Sequence, residues 1–225
     1  MGMDEVTYAY YPIFRRVAGR TALSGSELNE AENEWETLFG EFDDRVTLRG
    51  IYTAQGFRPD ADLLMWWVGS SPDDLQSLFS RFRRTLLGRR LELTWSFLGA
   101  ARPAEFNPQH APAFLRGEKP RKYLCVYPFA RTPEWYLLPA EERSALLKEH
   151  GEMGREFPDV LPNTTSGFGL GDWEWILAFE SDELHRIVDC IRRLRDAAAR
   201  RFTREEVPFI IGIRKQLGPA VRDLA

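Results

Sequence analysis

Apolar positions along the chain recur with a period of two in some segments and near 3.6 in others, and these switches predict its elements. Residues 6–15, VTYAYYPIFR, alternate and are rich in tyrosine, which is typical of a β-strand. From Leu28 to Phe42 the apolar residues recur every three or four positions, which predicts an amphipathic helix. The sequence S-G-S-E at Ser24 predicts a capping box in which Glu27 reaches back to the helix start.

The remaining segments continue this pattern through two similar halves. In the first half, two strand-like runs precede a helix with Ser71 as N-cap and Pro72 at its first position, and one strand follows: VTLRGIYTAQGF, DLLMWWVG, then LELTWSFLGA. The second half repeats the order, with a helix that begins near Pro139 and a last helix predicted over 181–202. Its strands are KYLCVYPFA, NTTSGFGL, DWEWILAFE and VPFIIGIR.

The element order β-α-β-β-α-β therefore occurs twice, and it is the order of a ferredoxin-like unit. We expect an α+β fold, a dimeric α+β barrel, in which the sheets of two tandem units join into one core with the helices outside. The predicted N-terminal unit is 1–104 and the C-terminal unit is 123–225. A connector rich in proline and charge, 105–122, lies between them.

Composition excludes several classes of protein. The 225 residues carry a net charge of −4 with acidic and basic residues interspersed, so no nucleic-acid footprint is indicated. Cys125 and Cys190 are the only cysteines and have no zinc or haem-attachment spacing, which predicts reduced packing residues. The N-terminus lacks the pattern of a signal peptide, and no apolar run is long enough to span a bilayer. We therefore expect a cytoplasmic protein without a membrane partner.

The three histidines have different surroundings. His185 points away from the apolar stripe of its helix, which predicts a solvated residue, whereas His150 continues the apolar stripe of the preceding helix and is predicted to lie on its buried face. Gly151 and Gly154 follow, and each costs a helix about 1 kcal/mol relative to alanine. A flat macrocycle with its metal bound by the imidazole would explain the bare backbone. The alternative is a core histidine bound to a carbonyl, with Gly154 in close packing.

His110, in FNPQHAPAF, lies in the connector, and its own surroundings indicate only a loop residue.

Period two places alternate side chains of the strand YLCVYPFAR on one face: Tyr123, Cys125, Tyr127, Phe129 and Arg131. Arg195 continues the apolar stripe of the last helix, so we expect it to point inward as well. Inward arginines need anions, and a ligand with several carboxylates would satisfy them. The alternative for both arginines is a structural ion pair, and for Trp135 and Tyr136 it is ordinary packing.

These residues resemble a known family. YPFARTPEWYLLPAEERSALLKEHGEMGREF, with SGFGLGDWEWILAFES and VPFIIGIR, is similar to the chlorite dismutase superfamily and, more narrowly, to the coproheme decarboxylases. The similarity is densest over 105–214. The Y-P pair, the W-Y-x-L-x-x-x-E-R run, the K-E-H-G helix and the D-W-E-W strand occur in the family's order.

The resemblance implies roles for individual residues. Tyr127 matches the catalytic tyrosine, which would become a radical, and His150 matches the proximal histidine that ligates iron. His110, in N-x-x-H, matches a distal histidine that acts as general base in one clade. Arg131 and Arg195 fall near the substrate propionates, and Trp135 is implied as a propionate donor or a competing radical site.

The same resemblance implies a reaction and partners. Iron coproporphyrin III would be both substrate and redox cofactor, and hydrogen peroxide would drive its conversion to haem b through a three-propionate intermediate. A homopentamer and transient contact with a coproporphyrin ferrochelatase are also expected. The chain departs from chlorite dismutases at LPNTTSG, where their distal arginine would fall. A chlorite dismutase, a peroxidase, a non-catalytic haem-binding protein and a structural protein remain as alternatives.

Overall fold

A computed structural model describes residues 6–19, 21–102 and 111–225. Its first half has the predicted order, and Ser24 and Glu27 form the predicted capping box while the Ser71 side chain caps the second helix. The elements are β1 (Thr7–Arg16), α1 (Gly25–Gly40), β2 (Val46–Arg58), β3 (Ala61–Gly69), α2 (Pro72–Phe82) and β4 (Leu91–Ala101).

The second half repeats the order with three short additions, namely α3, β8 and α6. Its elements are β5 (Tyr123–Arg131), α3 (Pro133–Leu137), α4 (Ala140–Gly154), β6 (Leu161–Ser166), β7 (Trp175–Ser181), α5 (Leu184–Leu194), β8 (Thr203–Glu205), β9 (Ile210–Lys215) and α6 (Leu217–Leu224). A 3₁₀ turn, Ala113–Arg116, lies in the connector. The predicted unit boundary near 104 and His110 both fall outside the described residues.

Eight antiparallel strands close into a ring, which confirms the α+β barrel. Going round it, β1 pairs with β3, then come β2, β9, β5, β7, β6 and β4, which returns to β1. The halves meet at two seams. Three residue pairs join β2 to β9, from Ile51↔Lys215 to Thr53↔Ile213, and Ala100↔Ser166 joins β4 to β6.

Side chains divide between the inside of the ring and its outer face. Leu124 and Val126 of β5 lie inside, among aromatic residues of the N-terminal strands. Cys125 and Tyr127 point outward and pack beneath α5 against Ile187. Both cysteines are free and buried, as predicted. The outer face of the N-terminal half is covered by α1, α2 and the C-terminal α6.

One ion pair lies in the interior and joins the halves. Arg49 of β2 donates to Glu180 of β7 at 2.6 Å, and the two side chains are 8% and 0% exposed. The second oxygen of Glu180 accepts from the backbone N–H of Arg121, and Asn163 also donates to this carboxylate. The pair is thus fully hydrogen-bonded, which buried charges require.

Four predicted elements have other bounds in the structure; one is the last strand, predicted over 207–214, which runs over Ile210–Lys215. The strand predicted over 163–170 runs over Leu161–Ser166, because the chain turns at Gly167, and Gly169 adopts a φ of +74°. The strand predicted over 172–180 begins only at Trp175. The helix predicted over 181–202 ends at Leu194 and is followed by a separate 3₁₀ turn, Ala198–Phe202.

Among the residues that the structure describes, no helix is long and apolar enough to cross a membrane.

Candidate functional site

Tyr127 lies on the outer face of β5, as the alternation predicted. Its side chain is 4% exposed, and its ring stacks on Phe209 with centroids 4.3 Å apart and planes inclined by 27°. The Phe179 ring lies farther away, at 6.0 Å and 47°. Burial raises the pKa of the Tyr127 phenol well above 10, and the neighbouring Cys125 and Glu206 add to this effect. The phenol therefore stays protonated at neutral pH and carries a hydrogen atom that can be removed.

His150 lies on α4, whose apolar stripe is not buried. None of the residues of α4 is buried in the described structure, and Leu147 is 48% exposed. The predicted buried face is therefore only partly covered: α4 contacts α5 and the 3₁₀ turn Ala198–Phe202, and Phe157, just beyond the helix, is buried. His150 is half-buried, and its ring has no hydrogen-bond partner among the described residues, so the carbonyl-bound alternative is not what the structure shows.

Electrostatics keep the His150 ring neutral. Burial lowers its pKa from 6.5, and the positive charge of Arg131 lowers it further, while Glu149 and Glu206 act in the opposite direction. A neutral imidazole with a free nitrogen is the form that ligates a metal.

The two glycines of α4 face open space. An added Cβ at Gly154 would meet nothing within 4 Å, and at Gly151 the nearest atom would be Nη1 of Arg155, at 3.8 Å. Close packing within the chain therefore does not explain Gly154. Because Gly154 lies four residues beyond His150, it shares the face of the helix on which the imidazole lies.

Arg131 is a buried cation. Its side chain lies over the rings of Trp135 and Phe129, with its central carbon 4.0 and 4.6 Å from their centroids, and one N–H donates to the carbonyl of Ala199 at 2.9 Å. Burial lowers its pKa. Its guanidinium forms no ion pair with any described carboxylate, although Arg131 is only 9% exposed. This leaves a desolvated positive charge that an anionic ligand would stabilise.

The 3₁₀ turn Ala198–Phe202 connects Arg131 with the helix of His150. Ala199 accepts from Arg131, and the Ala198 N–H donates to the Glu149 carboxylate at 2.9 Å. Glu149 immediately precedes His150 on α4. The turn therefore fixes the helix and the arginine relative to each other.

Arg195 is arranged differently from Arg131. It caps the C-terminal end of α5 and forms an ion pair with Glu206, which also pairs with Arg200. The structural ion pair that the sequence left open is therefore present at Arg195.

The remaining predicted side chains have clear positions. Trp135 is buried against Arg131 and Phe202, as a packing residue would be. The Tyr136 hydroxyl donates to Glu174 at 2.7 Å. His185 is exposed on α5, as predicted.

Comparison with known proteins places this arrangement in a family. The family model described as "Chlorite dismutase" matches residues 28–215. The chain belongs to the chlorite dismutase family. A curated relative from Mycolicibacterium smegmatis, named coproheme decarboxylase, is 48% identical over 94% of this chain and 91% of its own length. A relative of the same name from Thermus thermophilus is 30% identical over 82% of this chain and 81% of its own.

Solved structures of chlorite dismutases share the fold. The enzyme of Candidatus Nitrospira defluvii in complex with imidazole has a TM-score of 0.85 and 22% identity, over 99% of this chain and 96% of that one. A tryptophan-to-phenylalanine variant of the same enzyme in complex with cyanide has a TM-score of 0.87, with the same identity and coverage. At this identity the likeness establishes the barrel alone.

The described residues fit an iron porphyrin, the group that the family resemblance implies. His150 offers a neutral nitrogen, Gly154 leaves room beside it, and Arg131 offers a buried guanidinium that forms no ion pair with a described carboxylate. No cluster of three or more His, Cys, Asp or Glu side chains able to hold a bare metal ion occurs in the described ranges. A ligand that brings its own four nitrogens to the iron suits a single imidazole.

The sequence did not identify Phe209 or Glu206 as parts of this site. For Phe209 a signal existed, because VPFIIGIR was predicted as a strand and strand partners of Tyr127 were to be expected. Glu206, in the segment between β8 and β9, pairs with Arg195 at the end of α5, and no local sequence pattern encodes this contact.

Proposed function

We propose that this chain catalyses the oxidative decarboxylation of two propionates of iron coproporphyrin III, giving haem b through a three-propionate intermediate. Hydrogen peroxide is the oxidant. The curated relative at 48% identity supports the reaction. At the level of residues, one observation supports the proposal. The outer face of β5 holds the buried, protonated phenol of Tyr127 and, four residues later, the buried Arg131, which forms no ion pair with a described carboxylate.

In this proposal α4 holds the substrate. His150 ligates the iron through its free ring nitrogen, and the macrocycle lies in the open space beside Gly154. The bound iron porphyrin supplies the oxidising equivalents that peroxide delivers. The chain itself orients the propionates and moves hydrogen, as expected where the cofactor carries the difficult chemistry.

Tyr127 is proposed as the hydrogen-atom acceptor. As a phenoxyl radical it takes a hydrogen atom from the β-carbon of a propionate. A second electron is then lost, the bond to the carboxylate carbon breaks, and carbon dioxide is released. The remaining two carbons form a vinyl group. Two electrons leave each propionate and reduce one peroxide. The balance for each round is one propionate, one peroxide and one proton going to one vinyl group, one carbon dioxide and two waters.

Arg131 is proposed to bind a propionate by charge-assisted hydrogen bonds. Arg195 is proposed as a second propionate-binding residue. Because Arg195 already pairs with Glu206, a propionate there has to share the guanidinium with Glu206 or displace it. The indole N–H of Trp135 is a candidate propionate donor, and its ring a candidate competing radical site.

His110 is proposed as the base that takes the proton of peroxide. It lies outside the described residues, so this assignment rests on N-x-x-H and the family resemblance. A homopentamer, transient contact with a coproporphyrin ferrochelatase and a cytoplasmic location are proposed on the same ground.

The deciding experiment follows the mass of the porphyrin. Purified protein is mixed with ferric coproporphyrin III and titrated with peroxide, and two successive losses of a carboxyl group as carbon dioxide are expected. A protein that only bleaches the porphyrin, or that releases oxygen from chlorite, contradicts the proposal in favour of a peroxidase or a chlorite dismutase.

Tyr127→Phe tests the hydrogen acceptor. Phenylalanine has no O–H to lose, so the mass change should stop while the Soret shift on binding remains. Tyr123→Phe is the matched control, because it removes a hydroxyl from the same face of the same strand, and it should keep a normal rate. Formation of haem b at the normal rate by Tyr127→Phe refutes its role.

A further inference from the structure

Phe209 lies at a special position relative to Tyr127. The ladder between β5 and β9 runs from Tyr123↔Ile213 to Val126↔Ile210. Continued by one step, it places Phe209 directly opposite Tyr127, one residue before β9 begins. Directly opposed side chains of antiparallel strands contact each other face to face, and here the two rings stack with centroids 4.3 Å apart.

The backbone of Phe209 is held by the N-terminal half of the chain. Its carbonyl accepts a hydrogen bond of 3.4 Å from Arg58 of β2. Asp60 binds Arg58 with two hydrogen bonds of 2.8 and 2.9 Å, and Trp95 donates to the same carboxylate at 2.8 Å. Arg58 lowers the pKa of Asp60 to about 2, so the carboxylate stays ionised. Together these residues fix the point from which the Phe209 ring extends.

This stack restricts how the Tyr127 ring can turn. A phenol that rotates about its Cβ–Cγ bond has to clear the Phe209 ring, whose plane is inclined by only 27°. The other aromatic neighbour, Phe179, is tilted by 47° at 6.0 Å, and offers no parallel wall. Hydrogen transfer requires reacting atoms within about 3–3.5 Å in an aligned geometry, and a 1 Å misplacement can cost about a hundredfold in rate.

We propose that Phe209 is a positioning residue for Tyr127, and that Arg58 and Asp60 hold it in place from the other half of the barrel. The N-terminal half would thus set the orientation of the reacting phenol without touching the substrate. The inference rests on the proposed function in one respect only, which is that Tyr127 is the group to be oriented.

Phe209→Leu removes the stacked ring and keeps an apolar side chain. The turnover number for the first decarboxylation should fall about tenfold or more, while the dissociation constant for ferric coproporphyrin III stays within about twofold. Phe179→Leu is the matched control, because it makes the same replacement on the other side of Tyr127, and it should leave the turnover number unchanged. Both variants should lower the melting temperature.

A second readout needs no porphyrin. With the Tyr127 ring isotopically labelled, NMR of the free protein reports how fast the ring flips. Flipping should be faster in Phe209→Leu than in the wild type, and unchanged in Phe179→Leu. Phe209→Tyr keeps the aromatic ring, so it should restore slow flipping and most of the rate. Asp60→Asn should also speed the flipping of the Tyr127 ring and lower the turnover number, by smaller factors than Phe209→Leu.

The outcomes separate the two proposals. Equal losses of rate in Phe209→Leu and Phe179→Leu, or unchanged flipping in Phe209→Leu, would overturn the positioning role and leave the proposed reaction standing. A wild-type protein that never decarboxylates the porphyrin refutes the reaction. In that case the flipping rates still report whether Phe209 holds the Tyr127 ring.

Discussion

At the scale of single residues, His150 and Arg131 share an unusual condition, since each is a polar group withdrawn from water without the partner that burial normally demands. His150 has free ring nitrogens, and the Arg131 guanidinium forms no ion pair with a described carboxylate, although Glu206 and Glu174 lie near it. Burying such a group lowers the stability of the free protein, and a ligand that supplies the missing partner offsets this loss when it binds. Substitutions at these two positions should therefore affect ligand affinity and the free energy of unfolding differently.

Replacing His150 by alanine should weaken binding of ferric coproporphyrin III about tenfold or more, equivalent to about 1.4 kcal/mol, and change its Soret band. The lowered pKa keeps the ring neutral below its ordinary value, so wild-type binding should persist at pH 6.5 and fail only at more acidic pH. His185→Ala is the control, because His185 is exposed on α5. An unaltered spectrum in His150→Ala contradicts the assignment.

Arg131→Met keeps the packing of the stem against Trp135 and removes the charge. Affinity for the porphyrin should fall by about 1.5–3 kcal/mol, the range for hydrogen bonds to charged groups. The free energy of unfolding should stay level or rise, because an unpaired buried charge is lost. Porphyrin titration and urea unfolding measure the two effects. Arg193→Met, at a surface arginine paired with Glu156, should change neither by more than about 1 kcal/mol.

At the scale of elements, α4 is a helix whose apolar face is incompletely covered. None of its residues is buried, and neither of its two glycines is closely packed against the described chain. This open face is where we propose that the macrocycle lies.

Gly154→Ala tests this interpretation of α4. Alanine should raise the free energy of unfolding by up to about 1 kcal/mol, less at a helix end, because nothing lies within 4 Å of the added Cβ. Porphyrin affinity should nevertheless fall, since the methyl group occupies the space of the macrocycle. Gly40→Ala is the matched control. Gly40 is the last residue of α1, and an added Cβ there would also meet nothing within 4 Å, so this variant should change stability without changing porphyrin affinity. Equal affinities in the two variants would place the macrocycle elsewhere.

The element order could be predicted from the sequence because each strand and helix carries its own period. The neighbours that pack against each element could not be predicted in this way. Period 3.6 placed His150 on an apolar stripe, but it does not encode whether a neighbour covers that stripe. The end of α5 at Leu194 escaped prediction for a related reason. The following Ala-rich stretch favours helix locally. Two tertiary hydrogen bonds instead hold it in a separate 3₁₀ turn: the Ala198 N–H donates to Glu149, and the Ala199 carbonyl accepts from Arg131.

The same limit applies to the candidate site. Period two was enough to place Tyr127 and Arg131 on one face, and a single helical repeat was enough to single out His150. The roles implied for Tyr127, His110 and His150 came from the family resemblance and remain predictions. The stack of Phe209 on Tyr127 required the register between β5 and β9, which depends on how the two halves close.

At the scale of the whole molecule, the buried pair of Arg49 and Glu180 joins the halves. Burial raises the pKa of Glu180 in spite of Arg49, which shows how strongly the interior opposes charge. Glu180→Gln leaves Arg49 as an uncompensated buried cation, and should lower the free energy of unfolding by about 3–5 kcal/mol.

The double variant Arg49→Met with Glu180→Leu should recover most of that loss, because no buried charge remains. Guanidinium chloride unfolding measures all three proteins. Arg15→Met removes one partner of the exposed pair with Glu92, and should cost no more than about 1 kcal/mol. A double variant as unstable as Glu180→Gln would show that the pair is itself stabilising.

Closure of the eight strands into a ring has one more consequence, for how copies of this chain can meet. Every strand of the ring has a neighbour on both sides, although the seam between β4 and β6 consists of the single pair Ala100↔Ser166. A closed ring leaves fewer rows of free backbone donors and acceptors for another molecule than an open sheet of the same strands. Association between copies therefore depends mainly on side chains on the outer faces, and single substitutions there can abolish it while the barrel stays intact.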